Sequence, residues 1–270
     1  MTTAIGPVMA DGIAADSEAA GSILVLMVCA AVLGIGWRYR DRMTRWWSTS
    51  VRVAGLLMGL VVVALQVSQH GWLVDVDNAA TAWIVGHRNP VADHIAMAVT
   101  NAFGPAETAC AAVLVAIIAA VRFRSGVSGL TVIAAVGGAS ALCTALKLLL
   151  ARARPPIGIQ ETLETDYSFP SGHVTGTVAL FGMLVVVVGM HRRDAVNACL
   201  RCTAVMVVAA VASSRLYLGV HWLTDVVAGV LLGSAVVAIG ATALRGLTEH
   251  DEGRPTSDHA VRPQRREVLL

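Results

Sequence analysis

Charged residues are scarce in this sequence. Asp, Glu, Lys and Arg make up only 14% of its 270 residues, against about a quarter in an ordinary soluble domain. The same composition is far too apolar for a disordered chain, and it is not that of a small disulfide-stapled secreted module. An excess of charge of either sign is also missing. Twenty basic and 18 acidic residues leave a formal net charge of +2, too balanced to suggest a nucleic-acid partner. Lysine is nearly absent: 19 of the 20 basic residues are Arg, and Lys147 stands alone.

What fills the chain is apolar residue, 56% of the total, with a mean hydropathy of +0.69. It comes in blocks. A helix crossing the hydrocarbon layer needs about 20 mostly apolar residues, and such blocks run near Gly21–Trp37, Val53–Gln69, Ala106–Val121, Val127–Leu150, Val174–Met190, Ala198–Leu218 and Leu223–Leu244. Gly and Ala dot them, as where membrane helices pack closely. The expected fold is all-α, a polytopic transmembrane helix bundle with a six-helix core and an extra N-terminal span. Trp72–Pro105 is too polar to cross and should be partly helical, with a break at Asn89-Pro90. All five cysteines fall in predicted spans. Cys199 and Cys202 have redox or metal spacing but no second ligand pair, and are read as apolar packing.

Arginine placement sets the expected orientation. Arg38, Arg40, Arg42, Arg45 and Arg52, then Arg122 and Arg124, Arg192 and Arg193, and Arg245 with the tail fall on one side, read as cytoplasmic. The N-terminal segment has no Lys or Arg, and His70–Pro105 has only Arg88; both are read as outward-facing. The start lacks the basic region of a cleaved signal peptide. Four parts follow: an extracytoplasmic segment 1–20, a further span with a basic cytoplasmic loop 21–52, a membrane domain 53–244, and a disordered cytoplasmic tail 245–270.

Ionisable residues at a membrane boundary are costly and are functional candidates by default. Three clusters stand out, all assigned to the outer ends of spans. Lys147 and Arg154-Pro155 close the fourth span. Seven residues is about two helical turns, so both cations are expected on one face as an anion clamp; the alternative is snorkelling at a helix end. Pro170-Ser171-Gly172-His173 opens the fifth span. There Ser171, Gly172 and His173 are expected to offer free backbone N–H groups to an anion, with His173 as a proton donor; the alternative is an N-cap with an incidental His. Ser214-Arg215, His221 and Asp225 join the sixth and seventh spans. A carboxylate four residues after an imidazole can hold its tautomer on a helix. Metal ligation is the rival reading, opposed by the surrounding cations.

Together these clusters resemble the type 2 phosphatidic acid phosphatase superfamily, whose signature reads Lys-x6-Arg-Pro, Pro-Ser-Gly-His and Ser-Arg-x5-His-x3-Asp; the resemblance covers roughly Val53–Leu244. It implies a membrane lipid phosphatase that works without metal or cofactor through a phosphohistidine. His221 would be the nucleophile, Asp225 its orienting partner, and His173 the acid and then the base. Lys147, Arg154, Ser171, Gly172 and Arg215 would hold phosphate in a positively charged cup. The implied partners are the bilayer and a lipid phosphate: a polyprenyl pyrophosphate, phosphatidic acid or phosphatidylglycerophosphate. A phosphotransferase using the same site and a non-enzymatic lipid carrier are the other readings; the superfamily's haloperoxidases resemble soluble proteins. His87, Arg88 and Asp93, on the outer connection, could line the substrate entrance but are read as a solvated loop.

Overall fold

The computed structural model describes residues 44–252 apart from Arg193, together with scattered positions between 21 and 38. The predicted span Gly21–Trp37 therefore lies largely outside the described residues; positions 27–31 within it are helical. The predicted segment 1–20 lies wholly outside them. Eight helices follow: α1 (Arg45–Ser68), α2 (Trp72–Gly86), α3 (Pro90–Ala102), α4 (Pro105–Arg122), α5 (Gly126–Leu150), α6 (Gly172–Gly189), α7 (Asp194–Tyr217) and α8 (Leu223–Glu252). Six of them, α1 and α4–α8, are long and apolar enough to cross a membrane. They match the six predicted core blocks in order.

Local sequence explains the helix ends. Asn89 accepts from the Ala92 N–H at 3.0 Å with Pro90 in the first helical position, so the predicted break at Asn89-Pro90 is the start of α3. Two boundaries differ from expectation. Arg45 and Arg52 belong to α1 rather than to a loop, with Thr44 as its cap. α8 continues to Glu252, well past the predicted end at Leu244, because hydropathy stops there while helix-compatible residues do not. An Arg45–Glu249 ion pair at 2.5 Å links this extension to α1.

Small residues set the packing. Along α8, a Cβ on Gly229 would lie 3.0 Å from the Ser171 carbonyl oxygen, and one on Gly233 would lie 2.7 Å from Val178 Cβ. This glycine pair, four apart, lets α6 and α8 approach closely. Alanines do the same between α4 and α5, where Ala112, Ala116, Ala135 and Ala139 are buried. Large apolar side chains instead cover the outside of the bundle; Val121, Leu148, Leu149 and Val205 are all exposed. Such a surface suits a hydrocarbon solvent. Cys29 and Cys143 are buried, whereas Cys110, Cys199 and Cys202 lie exposed on helix surfaces, so the apolar packing expected of Cys199 and Cys202 is not within the described bundle.

The candidate active site

The alternation of helix direction brings the end of α5, the start of α6, the end of α7 and the start of α8 to one end of the bundle. All the residues of the three sequence clusters meet there. Lys147 is the last buried residue of α5. The helix then stops at Leu150 with Ala151 in the left-handed region (φ 46°), so Arg154 is not on the helix. The two cations do not converge by sharing a helical face, as their spacing suggested. They converge because the chain reverses after Leu150 and both bind Asp166. Lys147 Nζ lies 3.0 Å from Asp166 Oδ2 and also donates to the Tyr167 carbonyl. Arg154 donates to the Asp166 carboxylate and to its carbonyl, the latter at 2.8 Å.

His221 precedes α8, and Asp225 sits in its first turn. Asp225 Oδ2 accepts the Trp222 N–H at 2.8 Å, a reach back from the third helical position to the cap. His221 Nδ1 lies 3.3 Å from the same oxygen, and Arg154 Nη1 lies 3.2 Å from Nε2. A guanidinium can only donate. Nε2 therefore carries the lone pair and Nδ1 the proton. Burial pushes the imidazole down to about 4, with Asp225 opposing the shift and Arg154 and Arg215 adding to it. At neutral pH His221 is an uncharged base with a single defined tautomer.

Arg215 is 1% exposed. It donates to Thr100 on α3 at 2.5 Å and pairs with Glu164. His173, in the first turn of α6, lies within electrostatic range of Arg215, Glu164, His221 and Arg154. Ser171 is only partly what the sequence suggested. Its N–H donates to the Asp225 carbonyl at 3.0 Å and is not free for an anion. Its hydroxyl does not cap α6; it is buried without a partner, as is Arg215 Nε. Buried polar atoms are nearly always bonded, so these two stand out among the described residues of the site as unused donors. The Gly172 and His173 N–H groups, at the first positions of α6, have no partner within the helix.

The expected positive cup is largely neutralised: two carboxylates lie against its three cations. The loop between Pro155 and Ser168 brings Glu164 and Asp166 onto Arg215, Arg154 and Lys147. Burial raises both carboxyls, but the cations outweigh it. Arg215 and Arg154 hold Glu164 below the usual range, and Arg154 and Lys147 hold Asp166 at about 2. Sequence reasoning missed these two acids because nothing in a polar loop distinguishes them. It also missed Arg152, which donates to Asp225 Oδ1 at 2.6 Å and to Asp77 Oδ2 at 2.7 Å. A signal existed for Asp77: an acid inside the apolar stretch Trp72-Leu-Val-Asp-Val-Asp77. Arg88 is no solvated loop residue; it donates to the Tyr217 carbonyl at 2.9 Å and pairs with Glu161 at 2.9 Å. Asp93 likewise accepts from the Tyr217 hydroxyl at 2.8 Å, while His87 stacks on Trp83 with ring centroids 4.5 Å apart.

An apolar groove of about 570 Å³ lies between α2, α3 and α7, lined by Trp83, Ile95, Val99, Ala210 and Leu216 among others. Leu216 adjoins Arg215, and Val99 adjoins the Thr100 that Arg215 bonds.

Comparisons with known proteins agree with this fold. Residues 128–248 match the family model described as the PAP2 superfamily. An undecaprenyl-diphosphatase from Sulfolobus acidocaldarius is 36% identical over 115 residues, 39% of this chain and 50% of that protein. A decaprenylphosphoryl-5-phosphoribose phosphatase from Mycobacterium tuberculosis is 34% identical over 104 residues, 37% of this chain and 52% of that protein. The matched stretches thus span about half the length of these relatives. The fold is that of a transmembrane PAP2-type phosphatidylglycerolphosphate phosphatase from Bacillus subtilis, with a TM-score of 0.66 at 22% identity over 73% of this chain and 96% of that one. With its signature residues gathered at one end of a bundle of that fold, the chain is similar to the PAP2 superfamily over residues 128–248, the stretch that holds all three clusters.

Proposed function

We propose that the protein is a lipid phosphatase that releases phosphate without a metal, through a phosphohistidine on His221, at the extracytoplasmic leaflet. The carrying observation is the locked tautomer of His221: Asp225 accepts a hydrogen bond from Nδ1–H and leaves Nε2 as the nucleophilic atom. Substrate phosphate oxygens take Lys147, Arg154, Arg215, the Ser171 hydroxyl and the Gly172 N–H, and Arg154 leaves Nε2 to do so. Nε2 attacks phosphorus, the bond to the lipid oxygen breaks, and His173 gives that oxygen a proton. Water then attacks the phosphohistidine, His173 takes its proton, and the phosphorus–nitrogen bond breaks. Phosphoryl transfer depends chiefly on placement and charge stabilisation, which these groups supply. The oxygens of Asp225 are already taken by Arg152, Ser168, Trp222 and His221, so the residues beside the nucleophile are not arranged as metal ligands.

The apolar groove, whose Leu216 and Val99 are next in sequence to Arg215 and Thr100, is suited to an apolar chain and supports a lipid substrate. The names of the relatives favour a polyprenyl-linked phosphate among the candidates; phosphatidic acid and phosphatidylglycerophosphate are the others. The outward placement of the site rests on the arginine distribution.

Purified protein should release inorganic phosphate from at least one member of a panel of farnesyl diphosphate, phosphatidic acid and phosphatidylglycerophosphate, at a rate unaffected by chelator. Loss of the rate in chelator, or no turnover of any member, overturns the reading; phosphate recovered on an added acceptor instead of in water makes the protein a transferase.

The carboxylates in the cup yield a second expectation. Asp166 stays ionised at any pH above about 2, so mild acid does not clear it from the path of an incoming phosphate. Because Asp166 is largely exposed, its pairing is worth only about 0.2–1 kcal/mol. Asp166→Asn should therefore lower KM about two- to fivefold with kcat little changed. A raised KM shows instead that Asp166 positions the cations.

A further inference from the structure

The gap in the signature Lys147-x6-Arg154 asks for no particular residue, yet this chain places Arg152 there, and the side chain turns inward. Ala151 breaks the helix, and the guanidinium runs back beneath Trp222, whose indole N–H donates to the Ala153 carbonyl at 3.0 Å. Arg152 Nη1 donates to Asp225 Oδ1 at 2.6 Å and Thr224 Oγ1 at 2.7 Å; Nη2 donates to Asp77 Oδ2 at 2.7 Å. Asp77 is fully buried on α2. Its carboxylate also accepts the Thr224 N–H at 2.9 Å and the Thr224 hydroxyl at 2.6 Å. One partly buried cation therefore serves two fully buried carboxylates, and α2 is fastened to the first turn of α8 through both backbone and side chain.

Building on the function proposed above, we infer that Arg152 and Asp77 are positioning residues for the reaction: Arg152 holds Asp225 by Oδ1 so that Oδ2 faces His221, and Asp77 holds Arg152. The two oxygens of Asp225 divide the work. Oδ1 is bonded by Arg152, whereas Oδ2 receives Ser168, Trp222 N–H and His221. Ser168 is itself fixed to the same strand of chain, its N–H donating to the Arg152 carbonyl at 3.0 Å. Without Arg152, two buried carboxylates share a site with no cation between them, and a buried charge stripped of its partner is strongly disfavoured. Asp225 then turns or loses its charge, and the imidazole loses its aim. Arg152 has no part in the anion-holding set: Glu164 and Asp166 pair with Lys147, Arg154 and Arg215. Its removal should therefore act on the chemical step and leave substrate binding alone.

The test uses the purified full chain in detergent, with farnesyl diphosphate and dioctanoyl phosphatidic acid as probes, and rates expressed per folded molecule. Arg152→Met should lower kcat about 10–100-fold, the usual cost of losing a group that orients a reacting one, with KM within about twofold. Adding Asp77→Asn should restore part of that kcat, since it removes the carboxylate left without its cation. If Arg152→Met does not fold, Arg152→Lys and Asp77→Asn singly carry the test; each should lower kcat about three- to tenfold at constant KM. A merely structural brace would lower the melting temperature and yield while leaving kcat per folded molecule unchanged, and that result overturns the inference. So does a rise in KM at constant kcat, which would place Arg152 on the substrate. If the unsubstituted protein turns over neither these probes nor phosphatidylglycerophosphate, the proposed function itself fails; an active parent with an Arg152→Met variant of normal kcat sinks only the positioning role.

Discussion

The His221→Ala substitution is expected to reduce phosphate release by on the order of 10⁴-fold or more, as when a covalent nucleophile is removed from a site that otherwise stays assembled. The cup survives the change because its cations are held by groups other than the imidazole. Lys147 and Arg154 keep Asp166, and Arg215 keeps Glu164 and Thr100. Arg154 also retains the Val220 carbonyl at 2.5 Å. The variant should therefore still bind substrate with a KM close to that of the parent. Trapping adds a second readout: rapid acid-free quench of the parent with labelled lipid phosphate should leave label on the protein, and the variant should carry none. Substantial turnover by His221→Ala would rule out the phosphohistidine. Acid dependence of the parent has a definite sign. Protonation removes the Nε2 lone pair, and His221 is pushed down to about 4 by its burial. The rate should therefore hold as pH falls through 6.5, the ordinary imidazole value, and fail only towards 4. An acid limb centred near 6.5 would place the controlling proton elsewhere.

His173→Ala is the second large effect. A positioned acid or base contributes about 10²–10⁴-fold, and this loss should depend on the leaving group. With a lipid alkoxide leaving, the proton is essential. With a para-nitrophenolate, which leaves readily unprotonated, the first step should lose far less. Nothing in the geometry allows Glu164 to substitute, since it is committed to Arg215 and held ionised there. An equal loss for both leaving groups would remove His173 from the role of acid and leave it as a binding residue at the start of α6.

Most of the candidate site could be read directly from the chain, because the chemistry of phosphate handling demands particular residue types. A single Lys in an Arg-rich protein, a His after Pro-Ser-Gly, and an Asp four residues beyond a His in an apolar context each break a strong compositional background. Their convergence has causes other than helical spacing. Lys147 and Arg154 meet through a chain reversal and a shared carboxylate, and His221 meets Asp225 across a helix start rather than along a helix. Helical spacing described neither.

The amino-acid order alone determined that this is a bundle of membrane-length helices and which side chains are candidates for the chemistry, because hydropathy in long blocks and costly ionisable groups are local properties. Tertiary structure alone decided the charge of the cup and the fate of Asp225. Glu164 and Asp166 are unremarkable in a polar loop until folding lays them on Lys147, Arg154 and Arg215. Arg152 and Asp77, 75 residues apart, become partners only when α2 packs against the start of α8. Electrostatic pairing depends on distance in space, and no periodicity along the chain encodes it.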